Sequence, residues 1–188
     1  TDMAILVVGS VAYDTVETPA ARRERVLGGS ASFFSLAAAG FAPVRVVAAV
    51  GDDFRAEDLA TLSGAGVDVS GIARRPGATF HWSGRYHADL IERDSLATEL
   101  GVFADFRPEI PDAWRRTPYL FLGNIHPALQ ARVLEQMERP RLVVLDTMNY
   151  WITGEHAALQ SVLARVDVLL VNDSEARQLS GRRSLAEA

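Results

Sequence analysis

Cysteine is absent from the 188-residue sequence, which excludes a disulfide framework, a thiolate zinc site and a cysteine nucleophile. Lysine is absent too, so all 19 basic residues are arginine. Neither a Schiff base nor a phosphate-binding loop built on a lysine amine can operate within these residues. No basic stripe is present and the formal net charge is −5, whereas nucleic-acid binding needs clustered cations. Long apolar runs are missing as well. Leu36–Ala39 and Arg45–Val50 are too short to span a bilayer. The opening Thr1-Asp2-Met3 lacks the basic and apolar regions of a signal peptide, so the expected setting is cytoplasmic. No G-x-G-x-x-G follows the first apolar run, which disfavours a dinucleotide-binding domain.

What is present is an ordinary globular composition, 48% hydrophobic and 23% charged. Ala4–Val8 is a continuous apolar run ended by Gly9 and Ser10, the pattern of a strand buried on both faces. Similar runs recur at Val44–Val50, Tyr119–Leu122, Leu142–Leu145 and Val166–Val171. Between the later runs, Pro127–Met137 and Glu155–Leu163 carry apolar residues at helical spacing. The expected fold is α/β, a three-layer αβα body around a mainly parallel sheet. Two stretches break the alternation. Val11–Val26 and Gly71–Asp89 read as a small β element standing off the main sheet, with Thr79–His87 as an exposed strand and an acidic, irregular stretch after it. Arg22–Arg25 reads as a solvated turn. Ser184–Ala188 reads as the opening of a further helix, so residues 1–188 are expected to form an incomplete domain.

Four local patterns carry chemistry. Leu27-Gly28-Gly29-Ser30 opens a helix rich in small residues, and such a helix start offers N–H groups to hydroxyls or an anion. The plain alternative is a tight turn and a closely packed helix. In Val50-Gly51-Asp52-Asp53 the two carboxylates follow a strand and precede a helix, which suits a cap, and no third ligand lies at a telling spacing for a metal. Asp14 lies just past the carboxyl end of the first strand, where open α/β sheets bind ligands, and its carboxylate could accept two sugar hydroxyls. Val171-Asn172-Asp173-Ser174-Glu175 closes a strand and opens a helix, which suits either a cap or a site near a nucleotide phosphate and its hydrated Mg2+.

In this order the four patterns resemble the ribokinase-like (PfkB) family of carbohydrate and nucleoside kinases. The match runs from Asp14 through Gly28-Gly29, Val50–Phe54 and Gly66–Gly71 to Asn172-x-x-Glu175 and Leu179-Ser180-Gly181. The resemblance implies ATP-dependent phosphotransfer to a hydroxyl of a sugar or nucleoside, with ATP and Mg2+ as cofactors. It places Asp14, Gly28, Gly29, Ser32, Phe33 and Asn124 around the substrate, with Ser30 a further candidate. Asn172 and Glu175 fall near nucleotide and metal, with Glu175 reaching Mg2+ through water. The off-sheet element becomes a lid carrying Trp82, Arg85 and His87, and the candidate surface for a homodimer. Two departures stand out. The family's asparagine five residues after the first glycine is here Phe33. The family's Gly-Ala-Gly-Asp, which holds the catalytic base and anion hole, does not occur; Ser63–Val67 matches it for three residues only. The base is therefore expected outside these residues, and residues 1–188 alone are expected not to turn over. A non-catalytic sugar- or nucleoside-binding protein on the same scaffold is the alternative.

Overall fold

A computed structural model describes residues 3–88, 90 and 93–188. The five apolar runs become β1 (Ile5–Val8), β4 (Val44–Val50), β8 (Tyr119–Leu122), β9 (Leu142–Asp146) and β10 (Val168–Leu170), and β5 (Val67–Arg74), which was not among them, completes a six-stranded sheet. Their order is β10-β9-β8-β1-β4-β5, and every pairing in the sheet is parallel.

Alternation along the strands divides the core between two faces. Val7, Val46, Ala48, Val50 and Phe121 meet α1 (Ser30–Ala38) and α2 (Ala56–Gly64) through Ala31, Phe34 and Leu62. Leu6, Val8, Leu120, Leu122 and Leu145 meet α3 (Pro127–Gln136) and α5 (His156–Leu163) through Val133, Leu159 and Val162. Phe103, on a short 3-10 segment, and Phe106, just after it, complete that second face. The expected three layers are present. Among the described residues no helix covers the first face over β9 and β10, and Leu142, Val168 and Leu170 are 36%, 39% and 45% exposed.

A second sheet stands apart, built from β2 (Ala12–Glu17), β3 (Arg22–Gly28), β6 (His81–Tyr86) and β7 (Arg93–Glu99) in the order β3-β2-β6-β7. Its central seam, β2 against β6, is parallel, while both outer pairings are antiparallel. The expected off-sheet element therefore exists, but its limits differ from those read in the sequence. Gly71–Arg74 extends β5 in the main sheet. Gly71 is needed there, since a Cβ would stand 2.5 Å from Val46 O and 2.6 Å from the Trp114 ring. Asp89, the far end of the expected segment, lies outside the described residues, as do Thr1 and Asp2. The stretch expected to be irregular contains β7, and Arg22–Arg25 is strand rather than turn. Two further helices, α4 (Asn149–Gly154) and α6 (Asp173–Ser180), follow β9 and β10. Among the described residues no helix is long and apolar enough to cross a membrane.

Candidate functional site at the carboxyl edge

The chain leaves β1 for β4 on one side and later returns to β8 on the other. The carboxyl ends of β1 and β8 thus flank a topological switch point, the crevice where open α/β sheets take ligands. The backbone is tight there. A Cβ on Gly123, just past β8, would stand 2.5 Å from Ser30 Oγ and 3.2 Å from Gly9 Cα. Gly123 N–H donates to Val8 O.

The helix start beside this crevice is closed by the protein itself. Gly29 is the N-cap of α1 at φ 94°, a left-handed backbone that favours glycine. Ser30 N–H donates to Ser10 Oγ at 3.0 Å, and Ala31 N–H donates to Ser10 O at 2.9 Å. Two of the N–H groups expected to meet a ligand are spent on the loop after β1. Beside this helix start lies the half-buried Asp14. Its carboxylate lies directly over Gly28, where a Cβ would stand 2.2 Å from Oδ2. Any side chain at Gly28 would displace the carboxylate, which is why this position suits glycine. Burial pushes the Asp14 carboxyl up to about 6, and the nearby His81 partly opposes that.

Across the crevice, Asn124 follows Gly123. Its Oδ1 accepts from Trp151 Nε1 at 2.9 Å. The Gln130 side chain, buried under the same edge, donates to Gly123 O at 2.9 Å and Asp146 O at 3.1 Å, tying the ends of β8 and β9 together. Asp146 closes β9. Burial first, and then the nearby Glu175 carboxylate, push its carboxyl up to about 6, and the backbone N–H groups of Thr147 and Asn124 partly oppose that. Glu175 and Asn172 form a reciprocal capping box at α6: Asn172 N–H donates to Glu175 Oε2 and Glu175 N–H donates to Asn172 Oδ1, both at 2.9 Å. The cap read from the sequence is real, and it brings a buried carboxylate up to Asp146. Sequence reasoning missed Asp146, Gln130 and Trp151. Asp146 carried a usable signal, being an Asp at the carboxyl end of an apolar strand, as Asp14 nearly is.

The remaining expected residues divide. Ser32 is fully buried, with no hydrogen-bond partner for its Oγ, so it does not reach the crevice surface. Phe33 is 59% exposed. Ser30 is held against Ser10. In the small sheet Trp82 pairs in register with Asp14 across the parallel seam, so both side chains share a face. Its Nε1 donates to Ser95 Oγ, and its ring lies where a Cβ on Gly84 would fall. Arg85 pairs with Glu17, and His87 pairs with Asp94. All three residues expected on a lid thus have partners in or beside the small sheet.

Neither Asp52 nor Asp53 caps α2, whose N-cap is Arg55. Asp53 instead accepts from Thr79 N–H and Thr79 Oγ1, both at 2.7 Å, and from Arg25. Asp52 accepts from Gly77 N–H. Arg25 and Arg55 stack over the buried Tyr13 ring, whose hydroxyl donates to Asp58 at 2.8 Å. These bonds fasten the small sheet to the start of α2. Among the described residues no three His, Asp or Glu side chains cluster as a metal site.

A wholly parallel three-layer body with a small mixed sheet at its carboxyl edge is the ribokinase-like fold. No family model matches the chain, but it resembles the ribokinase-like (PfkB) kinases throughout its length. A cytidine kinase of Thermococcus kodakarensis is 28% identical over 188 residues, covering 98% of this chain and 66% of that protein. The Burkholderia thailandensis nucleoside kinase, solved with inosine, superposes with a TM-score of 0.75 at 18% identity, over 95% of this chain and 63% of that one. A candidate ribokinase II of E. coli, solved with ATP and Mg2+, gives 0.71 at 15% identity, over 97% and 66%. The chain spans about two thirds of the length of the relatives it matches.

Proposed function

We propose that this chain is the substrate-binding portion of an ATP-dependent kinase that phosphorylates a hydroxyl of a nucleoside or sugar. The observation that carries the proposal is the Asp14 carboxylate, seated on Gly28 beside the switch-point crevice. An acceptor-only group there suits paired hydroxyls, and its ionised form makes the stronger bonds. Partial burial strengthens such bonds by excluding water. The small sheet, with Trp82 on the Asp14 face, serves as the lid, and its outer strands offer the surface for a homodimer in a cytoplasmic setting.

The residues present fit a hydrated Mg2+ on the nucleotide side. Asp146 and Glu175 repel each other closely enough to raise the Asp146 carboxyl, and a cation would relieve that repulsion. ATP and Mg2+ would supply the phosphoryl group and neutralise its spreading charge. Asp14 would orient the acceptor hydroxyl. Glu175 would hold a water of the metal's shell through the carboxylate oxygen that the capping box does not use, while its partner Asn172 fixes the helix start. Proton removal from the acceptor falls to a base outside these residues, since no Gly-Ala-Gly-Asp occurs among them.

The test uses protein purified from the complete reading frame, with ATP, Mg2+ and a panel containing cytidine, inosine and ribose. ADP release above ~1 s⁻¹ with one member, together with a phosphorylated product, is the expected result. Residues 1–188 alone should stay below that rate. Binding of a panel member without any turnover would favour the non-catalytic alternative, and neither binding nor turnover would refute both.

A further inference from the structure

We infer that Trp151 is a positioning residue that fixes the Asn124 side-chain amide so that it meets the substrate with its NH2 alone, as a donor to an acceptor oxygen. The inference rests on the kinase reading for the identity of the ligand, but its geometry stands apart from it. An asparagine amide offers an acceptor on one side and two donors on the other, and it can turn over to suit its surroundings. The indole Nε1–H can only donate. Its bond of 2.9 Å therefore assigns the Asn124 carbonyl oxygen to Trp151 and directs the NH2 away from it. Among the described residues that NH2 has no protein partner.

Both ends of the pair are held. Gly123, directly before Asn124, is bonded through its N–H to Val8 and through its carbonyl to Gln130. Trp151 lies on α4, with its ring edge-on to Tyr150 at 4.8 Å and tilted against His126 at 5.0 Å. His126 is itself pinned as the N-cap of α3, accepting from Ala128 N–H. Nothing in this frame lets the amide flip without breaking the indole bond. A substrate hydroxyl or base carbonyl satisfies a fixed donor, whereas a group that can only donate leaves it unpaired.

The experiment uses the complete protein with ATP, Mg2+ and cytidine, inosine or ribose as the varied substrate. Trp151→Phe keeps the aromatic packing and removes the N–H. It should raise KM by about threefold to tenfold, as one hydrogen bond would, and leave kcat within about twofold. Asn124→Ala should raise KM at least as much, and Trp151→Phe added to it should change nothing more. A Trp151→Phe variant that loses kcat with KM unchanged, or whose effect adds fully to that of Asn124→Ala, would overturn the positioning role. The second readout needs no activity. In 1H–15N spectra, Asn124→Ala should shift the Trp151 indole resonance and speed its solvent exchange. An unchanged indole signal overturns the amide assignment. A wild-type protein that binds no panel member overturns the kinase reading and with it the substrate contact.

Discussion

Replacing Asp14 by asparagine should make the protein more stable and less able to bind its substrate, and both effects should depend on pH. The side chains are nearly isosteric, so the seat over Gly28 is kept. In the folded protein the Asp14 carboxyl sits at about 6, raised chiefly by burial from its ordinary 3.8. A carboxyl raised on folding binds more protons folded than unfolded. Its favourable contribution is present below about pH 4 and is lost as pH rises through about 6. At ~1.4 kcal/mol per unit, the shift corresponds to at most about 3 kcal/mol. Asp14 is only partly buried, so solvent screening reduces this to roughly 1–2 kcal/mol. Asp14→Asn should therefore be roughly 1–2 kcal/mol more stable than wild type at pH 8 and gain nothing at pH 4. Urea denaturation across that range at fixed ionic strength reads the difference. Substrate binding should move the other way, because each hydrogen bond to a charged group is worth ~1.5–3 kcal/mol. The KM of Asp14→Asn should rise about tenfold or more at pH 8 and approach wild type near pH 5. Equal stability at pH 8 would show that burial does not burden the carboxylate. An unchanged KM at that pH would remove Asp14 from the substrate site.

Two further substitutions test the supports of the site. Tyr13→Phe removes a buried hydroxyl that donates to Asp58 and accepts from Arg55 N–H at 2.8 Å; it should cost about 1–3 kcal/mol in urea denaturation, and a loss under about 0.5 kcal/mol would mean that the small sheet is fastened elsewhere. Glu175→Gln keeps a side chain able to complete the capping box but removes the charge facing Asp146. The Asp146 carboxyl should then titrate below about 6 yet stay above its ordinary value, since burial is the larger cause; carbon NMR of the labelled carboxyl reads this, and an unmoved titration would separate the two residues.

The parallel body was legible because its strands are continuous β-branched runs ended by small residues, as at Ile5–Val8 and Val44–Val50. The elements that escaped lack that signature. β7 is exposed along its whole length, so Arg93–Glu99 has no apolar alternation to read. α4 is too short to show a helical period. The end of β5 was hidden by Gly71, which looks like a break but is needed for close packing against Trp114. At the site, the contact of Asp14 with Gly28 joins two segments that the sequence analysis had singled out separately. The spacing of Asn172 and Glu175 fits a cap and a metal neighbour equally, and the structure shows the cap. Trp151 and Asn124 are 27 residues apart, so no local pattern could have joined them.

The parallel seam between β2 and β6 bears on how the chain folds. Glu17 and Arg85, paired across it, are 68 residues apart, and β4, α2 and β5 lie between them. The hairpin of β2 with β3 and the hairpin of β6 with β7 can each form locally, but neither can find the other until the intervening part of the body has brought them side by side. Closing so long a loop before any reward is slow. The seam should thus be among the last structures to form, and lost before the central strands on unfolding. Protection of the β2 and β6 amides would then report that the body beneath has already assembled.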